Sequence, residues 1–189
     1  MIPVSVAIQT GICYLSEKGG VRMLQWISAM RDLNFGQLMA VYEESNRDNG
    51  AEFWPDSPEG QQILSAEQDF YQYLRESFFK TEGASYAVWC ENGKYVSALR
   101  LEPYQDGLLL AALETAPEHR QKGYAAALIR AVLEHMEGTK VYAHIHKRNI
   151  PSMCTHESCG FRRVLEYAVY IDGSVRRDSC TYCYERTAR

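Results

Sequence analysis

The sequence predicts a mixed α/β (α+β) domain: a central mixed sheet flanked by helices, with two parallel strands joined through a helix. Three observations point there. Strand-like runs at residues 85–90 and 94–101 are joined by Glu91-Asn92-Gly93. Asn-Gly between such runs is the strongest short hairpin signal, because a type I′ turn needs positive φ twice. Residues 108–114 are almost continuously apolar, as expected of a strand covered on both faces. Residues 122–137 place Ala125, Leu128, Ile129, Val132, Leu133 and Met136 at helical spacing, and a strand-like run follows at 140–146. A strand–helix–strand unit of this kind should be a right-handed crossover between parallel strands.

The remaining elements follow in order. Residues 1–15 carry apolar stretches suited to one or two short strands, Lys18-Gly19-Gly20 to a turn, and residues 23–27 to another strand. A short helix fits 33–42. Residues 46–60 are polar and contain Gly50, Pro55, Pro58 and Gly60, which reads as a loop. A helix is expected at 61–79, where Ile63, Leu64, Phe70, Tyr73, Leu74 and Phe78 recur at helical spacing. Gln105-Asp106-Gly107 is a second turn, and Gly138 is placed to stop the later helix. A short helix at 150–158 and strands at 161–171 and 180–184, around an Asp172-Gly173 turn, complete the chain.

The bulk properties exclude some functions. The chain has 189 residues, long enough for one domain with a sizeable core. Its formal net charge is -4, so a broad nucleic-acid face, which needs clustered Lys and Arg, is not expected. No stretch approaches the roughly 18 apolar residues that span a bilayer. The start of the chain lacks basic residues ahead of its apolar part and makes a poor signal peptide. A cytoplasmic protein with six free cysteines is expected.

The informative segment runs from Leu113 and Glu114 through Thr115, Ala116 and Pro117 to Arg120, Gln121, Lys122, Gly123, Tyr124 and Ala125. A buried strand ends, a short loop turns, and an amphipathic helix begins. Helix starts expose unpaired N–H groups and a partial positive charge, so they bind phosphates. Gly123 lets an anion approach the backbone, and Arg120 and Lys122 add positive charge. A pyrophosphate suits such a place. The plainer alternative is an ordinary turn glycine beside a solvated arginine. Neither a Gly-x-Gly-x-x-Gly nor a Gly-x4-Gly-Lys-Ser/Thr pattern is present.

This segment resembles the acyl-CoA-binding motif of the GNAT N-acetyltransferase superfamily, Arg/Gln-x-x-Gly-x-Gly/Ala, with Arg120, Gly123 and Ala125 matching and Pro117 at the usual place. Asn149, Ser152, Gly160 and Phe161 resemble the family's later Asn-x-x-Ala/Ser segment ending in Gly-Phe. The resemblance covers residues 85–170. It implies a single GNAT-like domain over residues 1–189, with an acyl-CoA-binding core at 85–170 and an N-terminal part, 1–84, that shapes the acceptor site. It implies acetyl-CoA in a splayed cleft between the two parallel strands. Backbone groups of Leu113 and Thr115 would pair with the pantetheine arm. Main-chain N–H groups of Gln121, Lys122, Gly123, Tyr124 and Ala125 would hold the pyrophosphate, with Asn149 and Ser152 on the next crossover. The acceptor would be a primary amine of a small molecule, amino acid or peptide, with no nucleic-acid or membrane partner, and the family allows a homodimer.

The amine must lose a proton before it attacks a thioester. Glu114, at the end of an otherwise apolar strand, is the first candidate base, with Glu102 a weaker one; burial would raise its pKa usefully. A paired or solvated strand-end carboxylate is the alternative. The family places a Tyr acid seven residues after Asn149, where this chain has His156. Either His156 gives the proton instead or the thiolate leaves unassisted. The missing Tyr also motivates a second function class, a non-catalytic acyl-CoA-binding or sensing module. A metal centre is not expected. His144, His146 and His156 lack an evident fourth ligand, and Cys180 and Cys183, three apart on a strand, would point to opposite faces.

Overall fold

A computed structural model describes residues 12–17 and 20–186 of the chain. The strand expected before residue 12 and the Lys18-Gly19 turn lie outside the described residues. Ten strands and five α-helices follow in the order β1 (Ile12–Glu17), β2 (Gly20–Ile27), α1 (Phe35–Val41), α2 (Glu43–Phe53), α3 (Glu59–Glu76), β3 (Ser85–Glu91), β4 (Lys94–Tyr104), β5 (Gly107–Thr115), α4 (Tyr124–Glu134), β6 (Lys140–His146), α5 (Ile150–Ser158), β7 (Arg162–Leu165), β8 (Ala168–Val169), β9 (Val175–Arg176) and β10 (Ser179–Tyr184). Eight strands form one sheet in the order β1-β2-β3-β4-β5-β6-β10-β7, and β8 and β9 form a separate hairpin.

The β3–β4 hairpin closes as its Asn-Gly dictates. Glu91 pairs with Lys94, and Asn92 and Gly93 take φ of 52° and 77°. From β1 to β5 every pairing is antiparallel; β5 and β6 pair parallel across α4. One face of the sheet is covered by α4, whose Leu128, Ile129, Val132 and Leu133 pack on Leu99, Leu101, Leu108 and Leu110. The other face is covered by α1 and α3, with Leu38, Val41 and Leu74 against Tyr86, Val88 and Ala98. The mixed sheet flanked by helices is the architecture expected from the sequence.

Three expectations are corrected. Residues 46–60 are not a loop throughout, because α2 occupies Glu43–Phe53. Gly50 does not break it. It is buried within the helix, and a Cβ there would come within 2.8 Å of the Gln62 backbone, so it is the contact at which α2 and α3 touch. The helix after β5 is shorter than 122–137. It starts at Tyr124 and ends at the His135 cap, and Gly138, at φ 69°, turns the chain toward β6. The single strand expected at 161–171 is two, β7 and β8, with Gly173 at φ 83° turning β8 into β9.

Candidate active site

The site begins where the parallel pair of β5 and β6 comes apart. β5 and β6 are in register from Gly107 and Lys140 to Leu110 and Ala143, and no further. Both strands run on, through residues 111–115 and 144–146, so the sheet opens between them. At the same level β5 carries a bulge. Ala98 pairs with Glu114 and Arg100 with Ala111, so Leu99 alone faces Ala112 and Leu113. Ala112 takes φ of 49°.

The bulge decides where Glu114 points. Strand side chains alternate between faces, so Leu108, Leu110, position 112 and position 114 would all face α4. The extra residue reverses this. Leu108 and Leu110 are in the α4 core, but Ala112 packs with the α1 and α3 core and Leu113 takes the α4 side. Glu114 therefore lines a cavity of about 440 Å³ beneath α2 and α3, together with Tyr42, Ser45, Phe70 and Tyr73. Tyr42 Oη donates to the carbonyl of Ala112 at 2.5 Å. Ser45 Oγ donates to the Glu114 carboxylate. Burial raises the Glu114 pKa above the ordinary carboxylate range, while the Ser45 hydrogen bond and Arg120 pull the other way.

Past Thr115 the chain makes a tight turn at Pro117–His119. It then passes through Gln121 at φ 60° and Gly123 at φ 81° into α4. Glycine tolerates that backbone freely, whereas an L side chain does so at a cost. No side chain caps α4. The neighbouring side chains fold back onto the protein. Arg120 Nε donates to Thr115 O at 3.1 Å and its guanidinium pairs with Glu44 of α2. Lys122 Nζ donates to Glu118 O at 2.8 Å, and Tyr124 Oη to Glu91 at 2.5 Å. The helix start thus offers an anion its first-turn N–H groups and dipole.

A second cavity, about 760 Å³, lies along β4, β5 and β6, with Glu102, Leu110, His144 and Tyr170 in its walls. It meets the smaller one at Tyr73, Arg100 and Ala112.

A family model described as the acetyltransferase (GNAT) family matches residues 38–161. The chain belongs to this GNAT family. It is an N-acetyltransferase, in a family whose acyl donor is acetyl-CoA. Solved structures share the fold. The PaiA N-acetyltransferase from Thermoplasma acidophilum, solved with coenzyme A, is 13% identical, with 86% of this chain and 99% of that chain covered and a TM-score of 0.60. An acetyltransferase from Streptococcus agalactiae is 18% identical over 86% and 98%, with a TM-score of 0.56. A variant of the spermidine N-acetyltransferase SpeG from Vibrio cholerae is 19% identical over 87% and 93%, with a TM-score of 0.55. No curated protein sequence matches.

The residues singled out in the sequence fall at the ends of three elements. Leu113, Glu114 and Thr115 line the open end of β5, and residues 120–125 form the turn into α4. Asn149 caps α5, its Oδ1 accepting from Ser152 N at 3.1 Å. His156 stands apart and lines neither cavity. It is 2% exposed and edge-on to Phe161. Its Nδ1 lies 2.8 Å from Ser152 O, so that nitrogen carries the hydrogen. Burial lowers its pKa, so it is neutral near pH 7 and its Nε2 has no proton to give.

Cys180 and Cys183 do lie on opposite faces of the sheet. Among the described residues there is no cluster of three or more metal-ligating side chains, and no helix long and apolar enough to cross a membrane. Sequence reading missed Tyr42, Ser45, Tyr73 and Arg100. The available signal was Arg100, the one charge inside the strand-like run Val96-Ser97-Ala98-Leu99-Arg100-Leu101.

Proposed function

We propose that this chain transfers acetyl from acetyl-CoA to the primary amine of a small molecule, amino acid or peptide by direct attack. The observation that carries this reading is the parallel pair that stops at Leu110 and Ala143 while β5 runs on to Thr115 and the turn that leads into the uncapped start of α4. Acetyl-CoA supplies the activated carbonyl. Main-chain N–H groups from residues 121–125 would hold its diphosphate, and the open edge of β5 at Leu113 and Thr115 its pantetheine arm, near Asn149 and Ser152. An amine is an ammonium near neutral pH, so Glu114, buried and with a raised pKa, would take its proton. We assign His156 no proton transfer; the thiolate leaves without it. The N-terminal segment shapes the acceptor side of a single domain, since Tyr42, Ser45, Phe70 and Tyr73 wall the cavity that holds Glu114. Free thiols at Cys90, Cys159 and Cys180 support a reducing, cytoplasmic setting.

Titration with acetyl-CoA followed by a thiol-release screen of amines tests the reading. At about 100-fold excess over Kd the ligand should stabilise the fold by ~2.7 kcal/mol, a thermal upshift of roughly 5–10 °C. Gly123→Glu should remove it. No heat, no upshift and an indifferent Gly123→Glu would overturn the proposal.

A further inference from the structure

Resting on that acetyl-transfer reading, we propose that the acceptor carries a carboxylate beside its amine, as an amino acid or short peptide does, and that Arg100 holds it. Among the described residues Arg100 is the only lysine or arginine in the walls of either cavity, and it stands where the two meet. Its neighbours Leu99 and Leu101 face the α4 core, which directs Arg100 to the cavity side. The guanidinium lies over the rings of Tyr73, at 5.1 Å, and Phe78, at 5.7 Å. Such stacking fixes the plane of the fork and screens it from water.

The hydrogen bonding of this cation is incomplete. Nε is buried and finds no hydrogen-bond partner. The nearest carboxylate, Glu102, is 3.7 Å away, beyond hydrogen-bond reach, and Glu102 instead accepts from Tyr73 Oη at 3.3 Å. A purely structural buried arginine would be expected in a close, bidentate pair with its carboxylate. A guanidinium with donors to offer matches a ligand carboxylate, which it binds through two parallel hydrogen bonds.

Placement of the amine follows. Arg100 and Glu114 line the same 440 Å³ cavity, a volume suited to a small ligand. A carboxylate on Arg100 leaves the other end of an amino acid to face Glu114. A second ammonium at the junction would instead meet the guanidinium, and like charges in a shielded site repel strongly. Asp69 and Glu114 in the smaller cavity and Glu102 and Asp172 in the larger suit ammonium groups, so the choice of a zwitterion over a diamine rests on Arg100 at the junction.

The test uses matched acceptors: lysine against cadaverine, phenylalanine against phenethylamine, and methionine against 3-(methylthio)propylamine, each with acetyl-CoA and thiol release as readout. The native chain should prefer at least one carboxylate partner by about 10- to 100-fold in kcat/KM, the range of a charge-assisted hydrogen bond. Arg100→Gln should bring that ratio near one, and Arg100→Lys, which keeps the charge and loses the fork, should fall between. The ratio is taken within one preparation, so loss of folded protein cancels. Equal or better rates with every descarboxy amine, or a ratio that Arg100→Gln leaves in place, would overturn the carboxylate proposal while acetyl transfer stands. Silence from every pair, together with no thermal response to acetyl-CoA, would remove both.

Discussion

Tyr42, the residue between α1 and α2, donates a 2.5 Å hydrogen bond to the carbonyl of Ala112, the residue around which β5 bulges. The bond ties the junction of α1 and α2 to the point where β5 turns its later side chains over. Tyr42→Phe keeps the ring and removes the donor, leaving a half-buried carbonyl without its partner. A loss of about 1–2 kcal/mol is expected. Thermal melting should drop by roughly 2–8 °C for a domain of this size. The bulge also aims Glu114, so kcat should fall by about tenfold or more while the KM for acetyl-CoA changes little. An unchanged kcat in a measurably destabilised variant would separate the bulge from catalysis.

Glu114→Gln makes two opposed predictions. As the base, Glu114 must be ionised, so kcat/KM should rise with pH through a pKa above the usual carboxylate value and then level off. The variant should lose that acid limb and about 100-fold or more in rate, the range of general-base catalysis. Stability should move the other way. Burial is the main cause of the raised pKa, so the folded state favours the protonated form. That contribution is present below the unfolded pKa and is lost as pH rises through the folded one. Glutamine stays neutral and can still accept from Ser45. Glu114→Gln should therefore melt higher than the native chain near pH 8 and match it near pH 4. A variant less stable at both would show that the carboxylate is a structural partner.

Gly50 marks where sequence reading reached its limit. Helix-interior glycine normally costs about 1 kcal/mol against alanine, and read with its polar neighbours it signals a loop. Its reason lies in a contact remote in sequence, the Gln62 backbone of α3, which local pattern does not encode. The same holds for the bulge. An alanine at positive φ has no compositional mark, and strict alternation would aim Glu114 at the α4 core. Position at the strand end was enough to pick Glu114 out; its direction depends on pairing with β4. By contrast, β5, α4 and β6 were legible because burial on both faces and helical spacing are local signals. Arg100 was visible as a residue, but which cavity it faces depends on the helices above it. Gly50→Ala tests the contact. Removing a helix glycine should stabilise, yet a Cβ at 2.8 Å from backbone must push the helices apart, and overpacking of this kind costs about 1–3 kcal/mol. Net destabilisation with a raised KM for the amine is expected, because α2 and α3 both wall the smaller cavity. A gain in stability would mean that the two helices yield without strain.

Gly123 separates backbone strain from ligand binding. Among the described residues a Cβ there would have no atom within 4 Å beyond its own chain neighbours, and φ is +81°. Gly123→Ala should therefore cost only the left-handed strain, about 1–2 kcal/mol, without a packing clash. If the turn grips a diphosphate through its main chain, the loss should be larger for the ligand than for the fold, since a residue that resists this φ rotates the N–H groups of the helix start. The KM for acetyl-CoA should rise about tenfold or more, with kcat at saturation close to native. Gly123→Asn is the control, because asparagine tolerates the left-handed region better than other L residues. It should recover stability and much of the affinity. Equal KM values in the native, alanine and asparagine chains would show that this turn does not hold the donor.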